Sequence, residues 1–590
     1  MSKSPSGEEL PLRTKWIYGA PSFAGAAVAI PILVHMPKFY SDEVLVPVGW
    51  IAMAIAMARG LDAITDPVMG WLSDRTRSRF GRRRPWIAIG APLCAAALIA
   101  LFSPPTSLSP SEAGAWFTAS FALYFFCHTV YEIPYQGLGL ELTDSYHERS
   151  SLFSWRMAFI IPGTLVASAA PGILASFGLD AHQQMRLIAL VYGSVLVALY
   201  LLLVATIQEP PEHVGRKPNP LVPGVRRALR NRPFRILFIT FVIGSLPAAI
   251  PALLVPFYTF YVIEPPNPDQ VLALFLVLYF GSGFLCLPLW LWAAKRFGKR
   301  EAWLASFFVG ISAGIGLYFG GQGDIVYVAL LHTWAGVAFG AGGLLVPAMQ
   351  ADVVDYDELR TGKRREAQFA AFWAIVPKFV AIPGAALPIA ALAALGYEPN
   401  QAQTPQVQQG IRIVYAILPA SFALASFFLA RLYPISEEVL ERIHEGIAAQ
   451  GRGESATDPL TGEELAPIHG RTVDEGTGWF LDYFSPGELT IAASGRSLVP
   501  PVALKLALSL GATAVFGWTA AASVESLSTQ PGLSAVLSVV AGGFALTAAC
   551  FHALRIGKAR SFDAAPLQRS ILEAHLLALE ARPHRSGSTA

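Results

Sequence analysis

The chain has 590 residues, of which 54% are hydrophobic and 14% are charged, and its formal net charge is +2 at pH 7. An ordinary soluble domain carries about 25% charged residues, so this composition excludes a soluble globular protein and indicates a membrane protein with many spans. The net charge identifies no partner, because the basic residues are sorted into particular loops.

Motifs of other protein classes are missing from the sequence. The four cysteines lie in apolar stretches without metal-ligand spacing, and we interpret them as small core residues. Residues 1–15 are polar and lack the pattern of a cleavable signal peptide. The chain contains no phosphate-binding Gly-rich loop, no H-E-x-x-H and no G-x-S-x-G at a strand-to-helix turn. We therefore expect no enzyme activity and no cofactor.

Apolar stretches long enough to cross about 30 Å of hydrocarbon recur along the chain. The first six predicted spans are 16–36, 45–72, 86–103, 115–139, 151–177 and 186–207. After a polar break, the next six are 234–263, 270–292, 302–321, 325–347, 366–396 and 410–433. Two more, 502–524 and 532–554, follow a second polar segment, so we predict about fourteen spans.

Basic residues predict the orientation. Lys and Arg concentrate in alternate predicted loops, at 75–84, 208–233, 295–300 and 360–365. The loops at 104–114 and 397–409 contain neither residue. Since cytoplasmic loops carry the excess of basic residues, both termini are predicted to be cytoplasmic.

A short repeat indicates two related halves. The string R-F-G-R-R-R-P-W at 79–86 is echoed by R-F-G-K-R-E-A-W at 296–303, an offset of 296 − 79 = 217 residues. Two six-helix halves with basic turns at matching positions are typical of a two-bundle transporter. Basic turns occur in any polytopic protein, but that alternative does not explain the shared string.

The predicted fold is therefore an all-α polytopic membrane protein with two six-helix bundles and an extra C-terminal transmembrane hairpin. The predicted parts are an N-terminal bundle at 1–207, a cytoplasmic middle loop at 208–233, a C-terminal bundle at 234–433, a polar cytoplasmic segment at 434–500, the hairpin at 501–555 and a cytoplasmic tail at 556–590. The polar segment is expected to form an amphipathic helix at 435–449 and to be mostly irregular after it.

Three ionisable residues share one helical face inside the second predicted span. Asp62 and Asp66 are four residues apart, and Arg59 lies three residues before Asp62. Charged groups at this depth are costly and normally face a bundle interior or a water-filled cavity. Two carboxylates one turn apart, partly offset by an arginine, form an oxygen-rich site that suits Na⁺ or H⁺.

Other polar residues inside predicted spans are candidates for the same cavity. Glu132 lies in the fourth span, and Thr129 and His128 precede it on the same helical face. Lys378, about three turns into the eleventh span, is expected to be a counter-charge for the acids. Arg156, near the start of the fifth span, is either a second counter-charge or an interfacial anchor. His128 is either a cavity residue or a core histidine.

Charged residues near the cytoplasmic helix ends are expected to pair and to hold the two halves together in one state. The candidates for this cytoplasmic gate are Asp74, Arg75, Arg82, Asp144 and Asp355. The loop acids, which also include Glu148 and Asp352, are expected to pair with loop arginines. Ordinary solvated charge is the alternative.

Several motifs in combination resemble the glycoside–pentoside–hexuronide:cation symporters of the major facilitator superfamily. They are D-A-x-x-D-P-x-x-G at 62–70, T-R-S-R-F-G-R-R-R-P-W at 76–86, I-P-Y at 133–135, A-D-V-x-D-Y-D-E at 351–358 and L-G-Y-x-P-N-x-A-Q-T at 395–404. The resemblance covers about 12–433 and implies the major facilitator fold, with Na⁺-, Li⁺- or H⁺-coupled symport by alternating access. Residues 434–590 lie outside it.

The resemblance also implies roles for single residues. By motif matching, Asp62 and Asp66 fall on the family's paired cation-site aspartates, with Thr129 and Glu132 as further cation-site positions. The family's charge-coupling arginines and lysine correspond to Arg59, Arg156 and Lys378. The sugar-contacting positions match less well, because Ala26 stands where the family has an aspartate, Gln136 where it has a tryptophan, and Trp373-Ala374 where it has Gln-Thr.

We predict a cation-coupled symporter of the bacterial inner membrane that carries a sugar or glycoside. The residues expected to offer hydroxyl-binding groups to the substrate cavity are His128, Tyr131, Gln136 and Trp373. The expected partners are a small-molecule substrate, a monovalent cation (Na⁺ or H⁺) and membrane lipids, without nucleic acid, and a monomer is expected to suffice. Two alternatives stay open: a lysophospholipid or amphiphile symporter, since the altered cavity is more apolar, and a non-transporting receptor or scaffold whose interaction module is 434–590.

Overall fold

The computed structural model describes residues 10–143, 145–209, 221–362, 366–467, 475–523 and 532–580. The regular secondary structure of these residues is helical, apart from a short antiparallel pair of strands. The strands are β1 (Ala456–Thr457) and β2 (Glu464–Leu465), and Ala456 pairs with Leu465.

The first half of the chain forms six long helices. They are α1 (Leu12–Glu43), α2 (Val48–Arg75), α3 (Arg84–Phe102), α4 (Pro110–Glu141), α5 (Tyr146–Ser176) and α6 (Ala181–Thr206). Local sequence fixes some of their ends: Ser109 and Asp180 start α4 and α6 with capping boxes, which tie up backbone N–H groups that have no partner within the helix. α1 is irregular and contains π-helical turns at Pro31–His35 and Phe39–Glu43.

The second half follows a short helix, α7 (Leu221–Arg230). Its helices are α8 (Arg232–Ile263), α9 (Pro268–Leu285), α10 (Leu287–Phe297), α11 (Lys299–Tyr318), α12 (Ile325–Thr361), α13 (Glu366–Ala394) and α14 (Pro405–Ala430). The span predicted at 270–292 is divided between α9 and α10 at Cys286. Pro288, in the first turn of α10, has no N–H to continue the helix from α9.

The C-terminal region contains more helix than the sequence predicted. Its helices are α15 (Glu437–Gly451), α16 (Glu475–Leu481), α17 (Pro486–Ala493), α18 (Val499–Ala522), α19 (Leu533–Ala564) and α20 (Arg569–Glu580). The segment expected to be mostly irregular therefore includes α16 and α17. Ser485 and Glu488 form a capping box at the start of α17, which is a local signal for that helix.

Twelve helices in the described ranges are long and apolar enough to cross a membrane, and α18 and α19 are among them. α4 and α13 are of comparable length but are not among the twelve. The all-helical, multi-span architecture is confirmed, while the count of fourteen spans and the orientation of the termini stay predictions. α4 carries several of the candidate site residues, including Thr129 and Glu132, and these polar side chains lower its hydropathy.

The most extensive contacts between the two halves are along two pairs of helices. α2 packs against α13, and α5 packs against α9, while α1 also contacts α8. α19 contacts both α2 and α13, so it lies across the first of these seams, which we call the α2–α13 seam. Val536 and Val540 of α19 are buried in the same hydrophobic core as residues of both halves.

Candidate cation and substrate site

The centre of the candidate site is a group of three oxygen-bearing side chains on α2 and α4. Asp62 and Asp66 are buried on α2, with 6% and 9% of their surface exposed. The Oγ1 atom of Thr129, on α4, lies 3.0 Å from Asp62 Oδ1 and 2.8 Å from Asp66 Oδ1. Thr65 adds a second hydroxyl, 3.5 Å from Thr129 Oγ1. α2 packs on α4, which brings together these residues from different predicted spans.

The chemistry of this group favours a bound positive charge. A hydroxyl group carries one proton, so Thr129 donates to only one of the two carboxylates at a time. Two carboxylates buried so close together also repel each other unless one is protonated or a cation lies between them. Carboxylate and hydroxyl oxygens are hard ligands, which suit a hard cation as well as a proton. Asp62, Asp66 and Thr129 are therefore the residues that would hold the coupling ion.

Arg59 lies one turn before Asp62 on α2. Its guanidinium Cζ is 4.4 Å from the centroid of the Phe125 ring, which is a cation–π contact. Arg59 also lines a small cavity to which Leu253 of α8 and Ala385 of α13 contribute from the second half. The arginine is therefore at the junction of the two halves.

Glu132, on α4, takes part in a second polar cluster. Its carboxylate accepts hydrogen bonds from Gln136 Nε2 at 2.9 Å and from Tyr200 Oη at 3.0 Å. Arg156 Nη2, on α5, lies 3.4 Å from Glu132 Oε1, and both side chains are largely buried. We call the group Glu132, Gln136, Arg156 and Tyr200 the Glu132–Arg156 cluster. The contacts of Glu132 in this structure thus belong to an ion pair with Arg156, although the sequence placed it with the cation ligands.

The cluster continues onto α1 through hydroxyl groups. Arg156 Nε donates to Ser22 Oγ at 3.2 Å, and Ser22 Oγ lies 3.0 Å from Tyr135 Oη. Tyr135 Oη donates to the carbonyl oxygen of Tyr18 at 2.6 Å. Sequence reasoning missed Ser22, Tyr135 and Tyr200, because a serine or tyrosine in an apolar helix carries no signal that separates it from core packing.

The other predicted cavity residues have different surroundings. His128 and Tyr131 contact each other edge-to-face, with ring centroids 5.3 Å apart, and Tyr131 is buried against Tyr200. Trp373 stacks on Phe241 of α8, with ring centroids 5.1 Å apart. The backbone of Lys378 lies in α13, but its side chain is outside the described part of the structure.

The charges of the predicted cytoplasmic gate pair mainly within one half. Arg83 Nη2 lies 2.9 Å from Asp74 and 2.8 Å from Glu141, and Arg82 also pairs with Glu141. Arg75 stacks on Trp71, with Cζ 4.2 Å from the ring centroid.

The loop acids have partners other than those expected. Asp355 pairs with His444 of α15 at 3.1 Å, Asp352 with Lys299 at 2.6 Å, and Glu148 with Lys15 at 2.9 Å. The expected pairing of loop acids with loop arginines stays a prediction. Asp144 lies outside the described residues.

Glu209 contacts the arginine-rich loop, and the sequence did not predict this contact. Its carboxylate accepts the backbone N–H groups of Arg82, Arg83 and Arg84, each at 2.8 Å. An acidic group at a helix N-terminus satisfies free N–H groups and complements the helix dipole. Glu209 therefore fixes the start of α3, and its distance along the chain from the arginine-rich loop hid the pairing.

Comparison with known proteins finds similarity to membrane transporters. A family model described as "MFS/sugar transport protein", MFS being the major facilitator superfamily, matches residues 17–437. The inner membrane symporter YicJ of Escherichia coli (strain K12) is 28% identical, and the match covers 75% of this chain and 96% of that protein. The sodium-dependent lysophosphatidylcholine symporter 1 of Homo sapiens is 24% identical, with 66% and 76% of the two chains covered.

A solved structure has a similar fold. The crystal structure of the nucleoside transporter NupG matches with a TM-score of 0.51 at 16% identity, covering 72% of this chain and all of that one (100%). At this identity the likeness bears on the fold alone.

Proposed function

The chain belongs to the MFS/sugar transport protein family and is a multi-pass membrane transporter, and we propose that it moves a sugar or glycoside together with a monovalent cation. The observation that carries this proposal is that the Thr129 hydroxyl lies within hydrogen-bond distance of both Asp62 and Asp66. Two buried carboxylates that share one hydroxyl can bind a cation or a proton, as a coupling site requires. We place the protein in a bacterial inner membrane with both termini in the cytoplasm.

The proposed coupling is electrostatic. Na⁺ or H⁺ at Asp62, Asp66 and Thr129 neutralises charge that otherwise interacts with Arg59, one turn away; the family resemblance implies a second coupling charge at Lys378. A net charge that moves through the membrane interior is costly, so the halves rock only when the carboxylates are neutralised or paired. Arg59 lines a cavity between the two halves, which supports this link between ion binding and their movement.

The proposed substrate site is the Glu132–Arg156 cluster with Ser22 and Tyr135. A charged pair, an amide and several hydroxyl groups offer both donors and acceptors, as a sugar requires. The pair at 3.4 Å is longer than a direct charge-assisted hydrogen bond, and a substrate hydroxyl can replace part of it. We assign Glu132 to this substrate site, because its partners are Arg156, Tyr200 and Gln136.

A lysophospholipid is the second candidate substrate, and the human relative named as a lysophosphatidylcholine symporter favours it. An acyl chain needs a lateral route from the bilayer into the space between the halves. α19 lies across the α2–α13 seam, so this route is covered on that side. A lipid substrate would then have to enter on the other side, between α5 and α9.

The test is transport by purified protein in proteoliposomes. Under an imposed inward Na⁺ or H⁺ gradient, we expect a radiolabelled glycoside from a panel of pentosides and hexosides to accumulate. Accumulation should stop when the gradient is collapsed and in Asp66→Asn, while Arg156→Lys should mainly raise KM. Gradient-driven uptake of lysophosphatidylcholine alone would select the second candidate, and gradient-independent behaviour of every substrate would contradict the proposal.

A further inference from the structure

A buried ion pair lies at the end of the molecule opposite the arginine-rich loop 75–84. Asp42, in the last turn of α1, has 2% of its surface exposed. Lys38 precedes it by one turn, and its Nζ atom lies 2.8 Å from Asp42 Oδ2. Both residues belong to the first half of the chain. Their pairing alone does not require contact with the second half.

The second half supplies three hydrogen-bond donors to Asp42. Tyr261 Oη, at the end of α8, donates to Asp42 Oδ2 at 2.6 Å. Tyr397 Oη donates to Asp42 Oδ1, and Asn400 Nδ2 donates to the backbone carbonyl of Asp42. Tyr397 and Asn400 lie in the connection between α13 and α14, within the L-G-Y-x-P-N run at 395–400. One residue of the first half is thus held by two separate segments of the second.

Lys38 is also enclosed by the second half. Its Nζ atom lies 3.6 Å from the centroid of the Phe260 ring, and Tyr261 accepts the backbone N–H of Asn400 at 3.1 Å. A desolvated ion pair needs further hydrogen bonds to offset the loss of water. Ser41 Oγ of the first half donates to Asp42 Oδ1 at 2.5 Å, but the bonds from Tyr261, Tyr397 and Asn400 come across the boundary between the halves. The pair therefore keeps its full set of partners only while the halves are in contact at this end.

The backbone around the pair is strained. In the described part of the chain, the non-glycine residues with positive φ are Leu45 (61°), Glu264 (47°) and Asn400 (57°). Leu45 lies three residues after Asp42, and Glu264 lies three residues after Tyr261. The π-helical turn Phe39–Glu43 ends two residues before Leu45, and the π-helical turn Thr259–Ile263 ends directly before Glu264. Strained residues and π-helical turns collect where a structure switches between states.

We propose that Asp42 is a gating residue, which closes the transport path on the side opposite the arginine-rich loop by binding Tyr261, Tyr397 and Asn400. This gate must open for the substrate site to reach that side, so the inference rests on the alternating-access function proposed above. When the halves separate, Asp42 keeps Lys38 and leaves as an ion pair, which avoids a bare carboxylate. The L-G-Y-x-P-N run at 395–400 then supplies two of the gate's three donors to Asp42, Tyr397 and Asn400.

The test measures opening of the gate without a substrate. Ala385, which lines the small cavity with Arg59, is 4% exposed. In a variant whose four native cysteines are replaced, Ala385→Cys is labelled with a membrane-impermeant maleimide in right-side-out vesicles. We expect Asp42→Asn and Tyr397→Phe each to speed labelling by about tenfold, the effect of one charge-assisted hydrogen bond. Tyr397→Phe keeps the ring contacts with Phe257 and Tyr261, so it tests the gate even if Asp42→Asn misfolds.

The matched control is Asp324→Asn. Asp324 is at the same end of the molecule, but its carboxylate accepts the N–H of Gly321 within the second half, at 2.9 Å. Labelling should be unchanged in this variant. Asp42→Glu keeps the carboxylate, so it should label more slowly than Asp42→Asn. The effects of Asp42→Asn and Tyr397→Phe should be less than additive in the double variant, because both changes act on the bond between Tyr397 and Asp42.

Two results would overturn the gate: unchanged labelling in both single variants, or the same increase in Asp324→Asn. Neither depends on transport. A protein that labels as expected but carries no solute would contradict the proposed function and leave the gate in place.

Discussion

At the scale of single residues, the coupling site depends most directly on the Thr129 hydroxyl, which contacts both Asp62 and Asp66. Thr129→Val removes this oxygen and keeps the shape of the side chain. We expect it to weaken binding of the coupling cation by about tenfold or more, which is the usual effect of losing one hydrogen-bonding partner of a charged group. Isothermal titration of the purified protein with NaCl, and with pH jumps for a proton, measures this change.

Thr129→Ser is the matched variant, because it keeps the hydroxyl and removes a methyl group. Its cation affinity should stay within about twofold of the unchanged protein, since no charged group loses a partner. If Thr129→Ser and Thr129→Val lost affinity equally, packing and not the oxygen would be responsible, and Thr129 would not be a cation ligand.

The sequence identified the charged residues of this site and missed the others, because only a charge inside an apolar helix is unusual enough to be noticed. Asp62, Asp66 and Arg59 stand out because a charge inside an apolar helix is costly and needs an explanation. Tyr135, Tyr200 and Asp42 did not stand out, because tyrosines are common in helix cores and Asp42 lies outside the predicted span 16–36, where an acid is ordinary. Their roles depend on which helices touch, which a single sequence does not contain.

At the scale of elements, the C-terminal region is fixed to the middle of the chain by Asp482, between α16 and α17. Arg230 Nη1 lies 2.5 Å from its Oδ1, Arg227 also pairs with it, and both arginines are on α7. Burial alone would raise the pKa of Asp482, but the imidazole of His575, 3.7 Å away, and the charges of Arg230 and Arg227 outweigh it and lower the pKa to about 2. The folded state therefore holds Asp482 ionised more firmly than the unfolded state does.

The sign of the pH dependence follows from this lowered pKa. Asp482 contributes stability that is present above its unfolded pKa, near 4, and is lost as the pH falls through about 2. We expect Asp482→Asn to lower the protection of α7 and α16 by about 2 kcal/mol at pH 7, measured by hydrogen–deuterium exchange. The difference from the unchanged protein should be constant from pH 8 to pH 5 and should shrink below about pH 4.

Glu573→Gln is the control for this prediction. Glu573 pairs with Arg569 at 2.6 Å, but both side chains are mostly exposed, and such pairs contribute little. Its exchange pattern should match the unchanged protein at every pH. A difference for Asp482→Asn that is as large at pH 3 as at pH 7 would mean that its effect comes from packing and not from the charge.

Helix positions were easier to predict than helix partners. The apolar stretches gave the long helices, and the amphipathic pattern after residue 434 falls on α15 (Glu437–Gly451). The break at Cys286 was not predicted, because hydropathy alone does not register Pro288 as an interruption. α16 and α17 were not predicted either, since short helices in a polar segment are stabilised by contacts such as Asp482 with α7.

At the scale of the whole molecule, the two-bundle fold followed from hydropathy, alternate basic loops and the repeat at 79–86 and 296–303. The family match over residues 17–437 confirms that fold and the symporter family. The position of α19 across the α2–α13 seam did not follow, because small and apolar residues pack equally well against lipid or protein. Alternating access must therefore move α19 relative to α2 or to α13.

The measurement that tests the central claim most directly is thermal unfolding of the purified protein in NaCl and in choline chloride, across a range of pH. A ligand at a hundredfold its dissociation constant should stabilise the native state by about 2.7 kcal/mol. The control is Asp180→Asn, an exposed helix cap that asparagine also fills, and it should respond as the unchanged protein does.

We predict stabilisation by Na⁺ that is absent in choline and disappears in Asp66→Asn, and that grows when the transported sugar is added. Stabilisation that depends on pH but not on Na⁺, and is also lost in Asp66→Asn, would identify the proton as the coupling ion at the same site. If neither Na⁺ nor pH changed the unfolding temperature, and Asp66→Asn behaved as the unchanged protein, the cation-coupled account would be contradicted.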